Sequence, residues 1–249
     1  PPMHIRFAQL LAFVFTPLLS LVLTEEGISE PAKEKGEEKK FYEPVIRNVE
    51  GWIIEYDPKL LAKEHKKFEQ EVTKALANHL QRITYILPAE KTKVLKTLPI
   101  RLDLAHALRN MQYHPNAGWL RNHGHDPRLE KRVHLPRAKS LLDRHTWAKH
   151  PYVVLHELAH AYHDQILGFD DEEVIAAYKN AEDKGLYERV LLYSGGKTKH
   201  YARTNHKEFF AEMTEAYLGV NDFYPFVRAE LKEHDPLTYA LMQKIWGKI

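Results

Sequence analysis

The stretch HELAHAYHD, residues 156–164, holds three imidazoles and two carboxylates. His156 and His160 are four residues apart. On a helix that spacing puts both rings on one face, where they can reach a single ion. Zinc takes such nitrogens at about 2.0–2.1 Å and, at a catalytic site, keeps one corner of its tetrahedron open for water. Glu157 is offset around the helix, so it does not compete for the ion but can take a proton from that water. His163 lies on nearly the same face. A fourth protein ligand would displace the water, so a structural role is expected for it. Asp164, four residues after His160, is expected either to support a ligand from behind or to form a salt bridge. With 16 histidines in 249 residues, an HExxH pattern is only a moderate signal by itself.

Two imidazoles do not hold a catalytic zinc, so a third ligand has to come from elsewhere. Glu208, Glu212 and Glu215 stand at i, i+4 and i+7 in the segment NHKEFFAEMTEAYLG and share a helix face. Asn205 and Glu208 also fit a capping box, in which the glutamate serves only the helix end. Spacing does not choose among the three glutamates.

The two segments together resemble the gluzincin clan of thermolysin-like zinc peptidases. They are most similar to the catalytic domain of anthrax lethal factor and related short secreted bacterial zinc peptidases. That family's Tyr-x-Arg-Thr-Asn-x-x-Glu-Phe-Phe-Ala-Glu pattern is present as Tyr201-Ala-Arg203-Thr204-Asn205-His-Lys-Glu208-Phe209-Phe210-Ala211-Glu212. The resemblance covers residues 150 to about 220. It implies a zincin-like fold, one zinc ion held by His156, His160 and Glu208, and hydrolysis of a peptide or protein substrate. It further implies Glu157 as general base, Tyr201 as a hydrogen-bond donor to the oxyanion, and Glu212 as the carboxylate that orients His156. An inactive relative serving as a zinc-containing binding module, or a zinc hydrolase acting on a cell-wall amide, are the competing functions.

These residues need elements to position them. Gly51–Tyr56, Ile100–Leu104 and Arg132–Leu135 read as strands. Leu61, Phe68, Val72, Leu76, Leu80 and Ile83 keep helical spacing, predicting a helix over 58–87 that Pro88 closes. Residues 106–150 read as irregular. Further helices are predicted over 151–167, 171–184 and 206–218, and in the tail with a break at Pro236. Strands come early and helices late, so the class is α+β, with a small mixed sheet followed by the metal helix and the glutamate helix.

Composition narrows the field. Hydrophobic content of 44% and charged content of 28% are those of a globular protein. A net charge of +2 gives no ground for a nucleic-acid partner or an anionic membrane. The chain has no cysteine, which excludes disulfides, thiolate zinc sites and cysteine nucleophiles. Arg6 and the apolar run Phe7–Leu23 resemble a secretory signal peptide over 1–24, which implies a secreted or periplasmic protein. An uncleaved membrane anchor and a buried helix compete with that reading. Residues 25–44, rich in Glu and Lys, read as a flexible linker, leaving 45–249 as the folded domain, expected to be monomeric.

Two further patterns stand apart. Gly195-Gly-Lys-Thr198 lacks the earlier glycine that a phosphate loop requires; Leu191 stands there, so that reading fails. His106, His114, His123, His125 and His134 crowd the segment before the metal helix. They suit a polar surface loop, a border of the substrate groove, or a second metal site.

Overall fold

The computed structural model describes residues 41–249, which belong to one compact unit. The expected signal peptide and the linker up to residue 40 lie outside the described residues.

The architecture is α+β. Strands β1 (Val45–Val49) and β2 (Trp52–Tyr56) pair antiparallel, with Val49 opposite Trp52. Glu50 (φ 54°) and Gly51 (φ 89°) turn the chain between them. Two consecutive positive φ angles are what a two-residue hairpin turn of the favoured twist requires, and glycine adopts them without strain. Sequence reading missed β1, whose exposed residues carry no apolar alternation. It also placed residues 41–44 in the linker. Instead, Arg128 donates to the Tyr42 carbonyl at 2.7 Å and pairs with Glu43 at 2.5 Å, so this segment is fastened to the domain.

From β2 the chain crosses over through helices α1 (Lys66–Ile86) and α2 (Ala89–Leu95) to β3 (Ile100–Leu102), which runs parallel to β2. Strand β4 (Gln112–Tyr113) and strand β5 (Val133–Leu135) complete a mixed sheet in the order β1-β2-β3-β5-β4. Helix α1 buries Val72, Leu76, Leu80 and Ile83, as its spacing predicts. It starts later than expected, because Pro58–Leu61 and Lys63–His65 form 3-10 turns, the first capped by Asp57. Residues 106–150 are less irregular than composition suggests. They contain β5, where a short strand is expected, and also β4, α3 (Ala117–Asn122) and α4 (Arg144–Lys149), each too short for periodicity to reveal.

The second half is helical. Every residue of α5 (Val153–Tyr162) is buried, and so is α7 (His206–Leu218) from Phe209 onward. Between them run α6 (Glu172–Asp183) and a hairpin of β6 (Val190–Leu191) and β7 (Lys197–Thr198). After α8 (Arg228–His234), α9 (Pro236–Trp246) brings Trp246 against Tyr162 of α5 at 4.6 Å between ring centroids and against Phe210 of α7 at 6.0 Å. One aromatic side chain thus ties the two inner helices together. The helix expected through residue 167 changes character: His163–Leu167 is a π-helical turn, ended by Gly168 at φ 89°. Among the described residues no helix is long and apolar enough to cross a membrane.

Candidate metal centre

Helices α5 and α7 face each other across the core, and three side chains converge between them. His156 Nε2 lies 3.2 Å from His160 Nε2 and 3.3 Å from Glu208 Oε2, and His160 Nε2 lies 3.2 Å from the same oxygen. An ion bound tetrahedrally at about 2.0–2.1 Å separates its ligand atoms by about 3.3–3.4 Å. The three atoms therefore occupy three corners of a zinc-sized tetrahedron. Two neutral imidazoles and a carboxylate are also a donor set that zinc accepts. The residues present fit the ion.

Glu208 has a choice that the sequence leaves open, and its backbone and side chain divide the work. Asn205 caps α7 by accepting from the backbone N–H groups of Lys207 at 2.9 Å and Glu208 at 3.0 Å. The Glu208 carboxylate does not turn back to complete the capping box; it points at the two imidazoles. Burial alone would raise its pKa, but hydrogen bonds and charge from His156 and His160 outweigh that and hold it well below the usual carboxylate range. Burial likewise opposes charge on His156, yet Glu208 and Glu215 raise its pKa well above that of an ordinary histidine. The metal-free pocket therefore attracts positive charge.

The second nitrogen of His156 departs from expectation. Nδ1 is 2.6 Å from Glu215 Oε1 and 3.7 Å from Glu212 Oε1. Glu215, not Glu212, is the carboxylate that accepts the Nδ1–H bond, which keeps the Nε2 lone pair aimed at the triad. The reason is geometric. One imidazole spans the face of α7, meeting Glu208 in the first turn with one nitrogen and Glu215 two turns on with the other. His150 Nε2 donates to the same Glu215 oxygen at 2.8 Å. Burial would raise the Glu215 pKa, but His150 and His156 bring it down to about 2. Burial and the adjacent Glu215 charge push Glu212 the other way, up to about 8. The i+7 spacing held the signal for Glu215; nothing periodic connects His150 to the motif.

Asp164 does not reach this centre. It accepts from the Tyr113 hydroxyl at 2.6 Å and forms a salt bridge with Lys131. The register that would set it beside His160 is lost where the helix widens to a π turn at His163. His163 itself is fully buried against Phe169 and Phe210, and neither ring nitrogen has a hydrogen-bond partner among the described residues.

Glu157 and the half-exposed Tyr201 line one cleft of about 1020 Å³ together with the triad. Tyr201 opens the 3-10 turn Tyr201–Thr204 just before α7. Burial and the Glu208 charge raise its hydroxyl pKa, so it is a hydrogen-bond donor at neutral pH. Gln112 and Tyr113 of β4, the end strand of the sheet, border the same cleft.

No protein-family model and no curated protein matches the chain. Among solved structures, the PRO-PRO endopeptidase (PPEP-2) from Paenibacillus alvei is similar, with a TM-score of 0.39 and 20% identity over 71% of this chain and 90% of that one. A likeness this loose carries no argument about the reaction.

Proposed function

We propose that this chain is a zinc-dependent metallopeptidase of the gluzincin type, with a thermolysin-like arrangement of its metal helix and glutamate helix. The observation that carries the reading is the convergence of His156 Nε2, His160 Nε2 and Glu208 Oε2 at 3.2–3.3 Å from one another, beside a glutamate and a tyrosine in one open cleft.

Zinc held by those three residues supplies a Lewis acid that lowers the pKa of water and polarises a carbonyl. The chain's own residues do the rest. Glu157 takes the proton of the attacking water at its carboxylate and returns it to the leaving amine. The Tyr201 hydroxyl donates to the oxygen on which negative charge develops. Glu215, itself held by His150, fixes the His156 tautomer. Strand β4 offers an extended peptide a backbone edge along the cleft. The apolar run 7–23 supports export, so the substrate would be met outside the cytoplasm.

The test is cleavage profiling of an unbiased peptide library by mass spectrometry, with wild type beside Glu157→Gln at equal zinc content. Cuts that vanish in the variant are expected, with a loss of at least about 100-fold. A variant as active as wild type would overturn the mechanism, and a zinc-loaded wild type that cuts nothing would favour a binding module.

A further inference from the structure

The triad is not the only place where metal-ligating groups meet. Asp103, His106 and His134 also bring one ligand atom each within 4.8 Å of one another. The two histidines belong to the histidine-rich segment that the peptidase reading leaves unused, and Asp103 stands just before it. We propose that these three residues form a second site, for a divalent transition-metal ion, which fastens the start of the domain to its sheet.

The donors are held by backbone, not by chance contact of surface side chains. Asp103 follows β3, and its N–H donates to Leu135 O at 3.0 Å while its carbonyl accepts from Ala138 N at 2.9 Å. His106 N–H donates to Pro136 O at 2.8 Å. His134 lies within β5. All three donors are therefore set by the pairing of two neighbouring segments, 103–106 and 134–138. His134 is fully buried and Asp103 is 3% exposed.

His134 and Asp103 also have outer partners, as metal ligands do. His134 Nε2 faces Asp103 Oδ2 at 3.1 Å, and its Nδ1 faces His114 Nε2 at 3.1 Å. The other Asp103 oxygen accepts from the Tyr42 hydroxyl. Tyr42 is held in turn by Arg128 on its carbonyl and by the Arg101 guanidinium 5.3 Å over its ring. A buried carboxylate needs compensating charge. His134 pairs with Asp103 at 3.1 Å and His106 adds to the favourable charge around it, so the groups that compensate this carboxylate are themselves metal-ligating imidazoles.

An Asp103–His134–His114 hydrogen-bonded chain would satisfy those three groups without an ion. The ring of His106 stands edge-on to His134 at 4.9 Å between centroids, so a third donor already lies beside that pair, within 4.8 Å of both its ligand atoms. With an ion on Nε2, His134 keeps its proton on Nδ1 and donates to His114, which burial keeps neutral and able to accept. His106 pays one cost. Its Nδ1 accepts from Leu108 N–H at 3.1 Å, and ligation through Nε2 moves a proton onto Nδ1 and gives up that bond. One lost hydrogen bond corresponds to about a tenfold loss in affinity, so this site should be the weaker of the two. Two imidazoles with one carboxylate suit Zn²⁺, Co²⁺ or Ni²⁺ and not Ca²⁺ or Mg²⁺, which take all-oxygen sets.

The experiment is equilibrium dialysis of the full chain against Zn²⁺, and separately Co²⁺, with bound metal counted by mass spectrometry. Wild type should bind two equivalents, the second about tenfold or more weakly. His106→Ala and Asp103→Asn should each leave one equivalent. His106 is partly exposed, so its variant keeps the core intact, which circular dichroism checks. The double variant His156→Ala/His160→Ala should retain one equivalent. At a zinc concentration a hundredfold above Kd, that remaining site should shift the folding equilibrium about a hundredfold toward the native state, seen as a raised Tm that Asp103→Asn abolishes. One equivalent in wild type that survives in His106→Ala would overturn the second site while leaving the first intact. Two equivalents that persist in both His106→Ala and Asp103→Asn would overturn it equally. Loss of only the equivalent that depends on His156 would count against the peptidase centre alone.

Discussion

Two histidine clusters sit in this domain, and they are built on opposite principles. The pair His156 and His160 shares one helix, so four residues of spacing are enough to bring two nitrogens to 3.2 Å. Its third member arrives on a single second helix packed against the first. The cluster around His134 draws on β3, β5 and the connections between them, and depends on a parallel register, Leu102 opposite Leu135. A helix positions ligands locally. A sheet positions them through pairings between residues far apart in sequence. The helical cluster also opens on the 1020 Å³ cleft, whereas two donors of the other are sealed in the core. Accessible geometry suits turnover, and enclosed geometry suits a fixed ion.

The largest effects should fall on the helical cluster. Glu208→Gln or His160→Ala is expected to abolish tight metal binding and to reduce peptide cleavage at least about 1000-fold, since transition-state charge then has no metal to meet. Metal analysis beside a cleavage assay checks both. Retention of full metal affinity in Glu208→Gln would remove α7 from the ligand set and dissolve the contrast between one-helix spacing and two-element convergence.

That contrast explains what could be read from the sequence. The helix His206–Leu218 and its glutamates were legible, because 3.6-residue periodicity is a local property. Glu208 itself was not chosen by spacing but by resemblance; its carboxylate lies at the two imidazoles and not at the helix cap. Glu212 was misjudged in favour of a family position, because sequence does not report how far an imidazole reaches across a helix face. Of the roles open to Asp164, the salt bridge is the one formed, with Lys131, beyond a π turn that no residue pattern announces. β1, β4 and the short helices of 106–150 were missed or blurred because two to six residues carry no measurable period.

The next effect separates Glu215 from Glu212. A carboxylate that orients a ligating histidine is worth about 10- to 100-fold in metal affinity. Glu215→Gln should cost that much, and Glu212→Gln much less, because 2.6 Å is a hydrogen bond to His156 and 3.7 Å is not. Competition with a chromogenic chelator measures both. The reverse ranking would restore Glu212 to the position the resemblance assigns it.

A smaller effect concerns acid stability, in the metal-free protein. Burial pushes the His163 pKa down to about 3, below its ordinary value near 6.5 in the unfolded chain. The unfolded state then binds more protons, so stability is full above about pH 6.5 and is lost as pH falls toward 3. Among the described residues His163 has no hydrogen-bond partner, and an unsatisfied buried polar group costs about 1–3 kcal/mol. His163→Phe, facing Phe169 and Phe210, is expected to raise stability by about 1 kcal/mol at pH 7 and to flatten the pH dependence below 6.5. Urea unfolding at pH 7 and pH 5 measures both. A variant with unchanged acid sensitivity would show that His163 is paired in solution.

The smallest effect is expected at Asp164, and it probes the border between the two regions. Its carboxylate ties the π turn after α5 to Tyr113 of β4 and to Lys131 before β5. Lys131 is 42% exposed, so that ion pair contributes little, while the Tyr113 hydrogen bond is shielded and charge-assisted. Asp164→Asn preserves the shape and removes the charge, so it should lower stability by about 1 kcal/mol or less. Metal affinity should not change, because the side chain's partners lie on the sheet side. A tenfold loss of metal in Asp164→Asn would mean that the sheet edge and the metal helix act as one unit. The division between a locally encoded helical centre and a sheet-encoded one would then be too sharp.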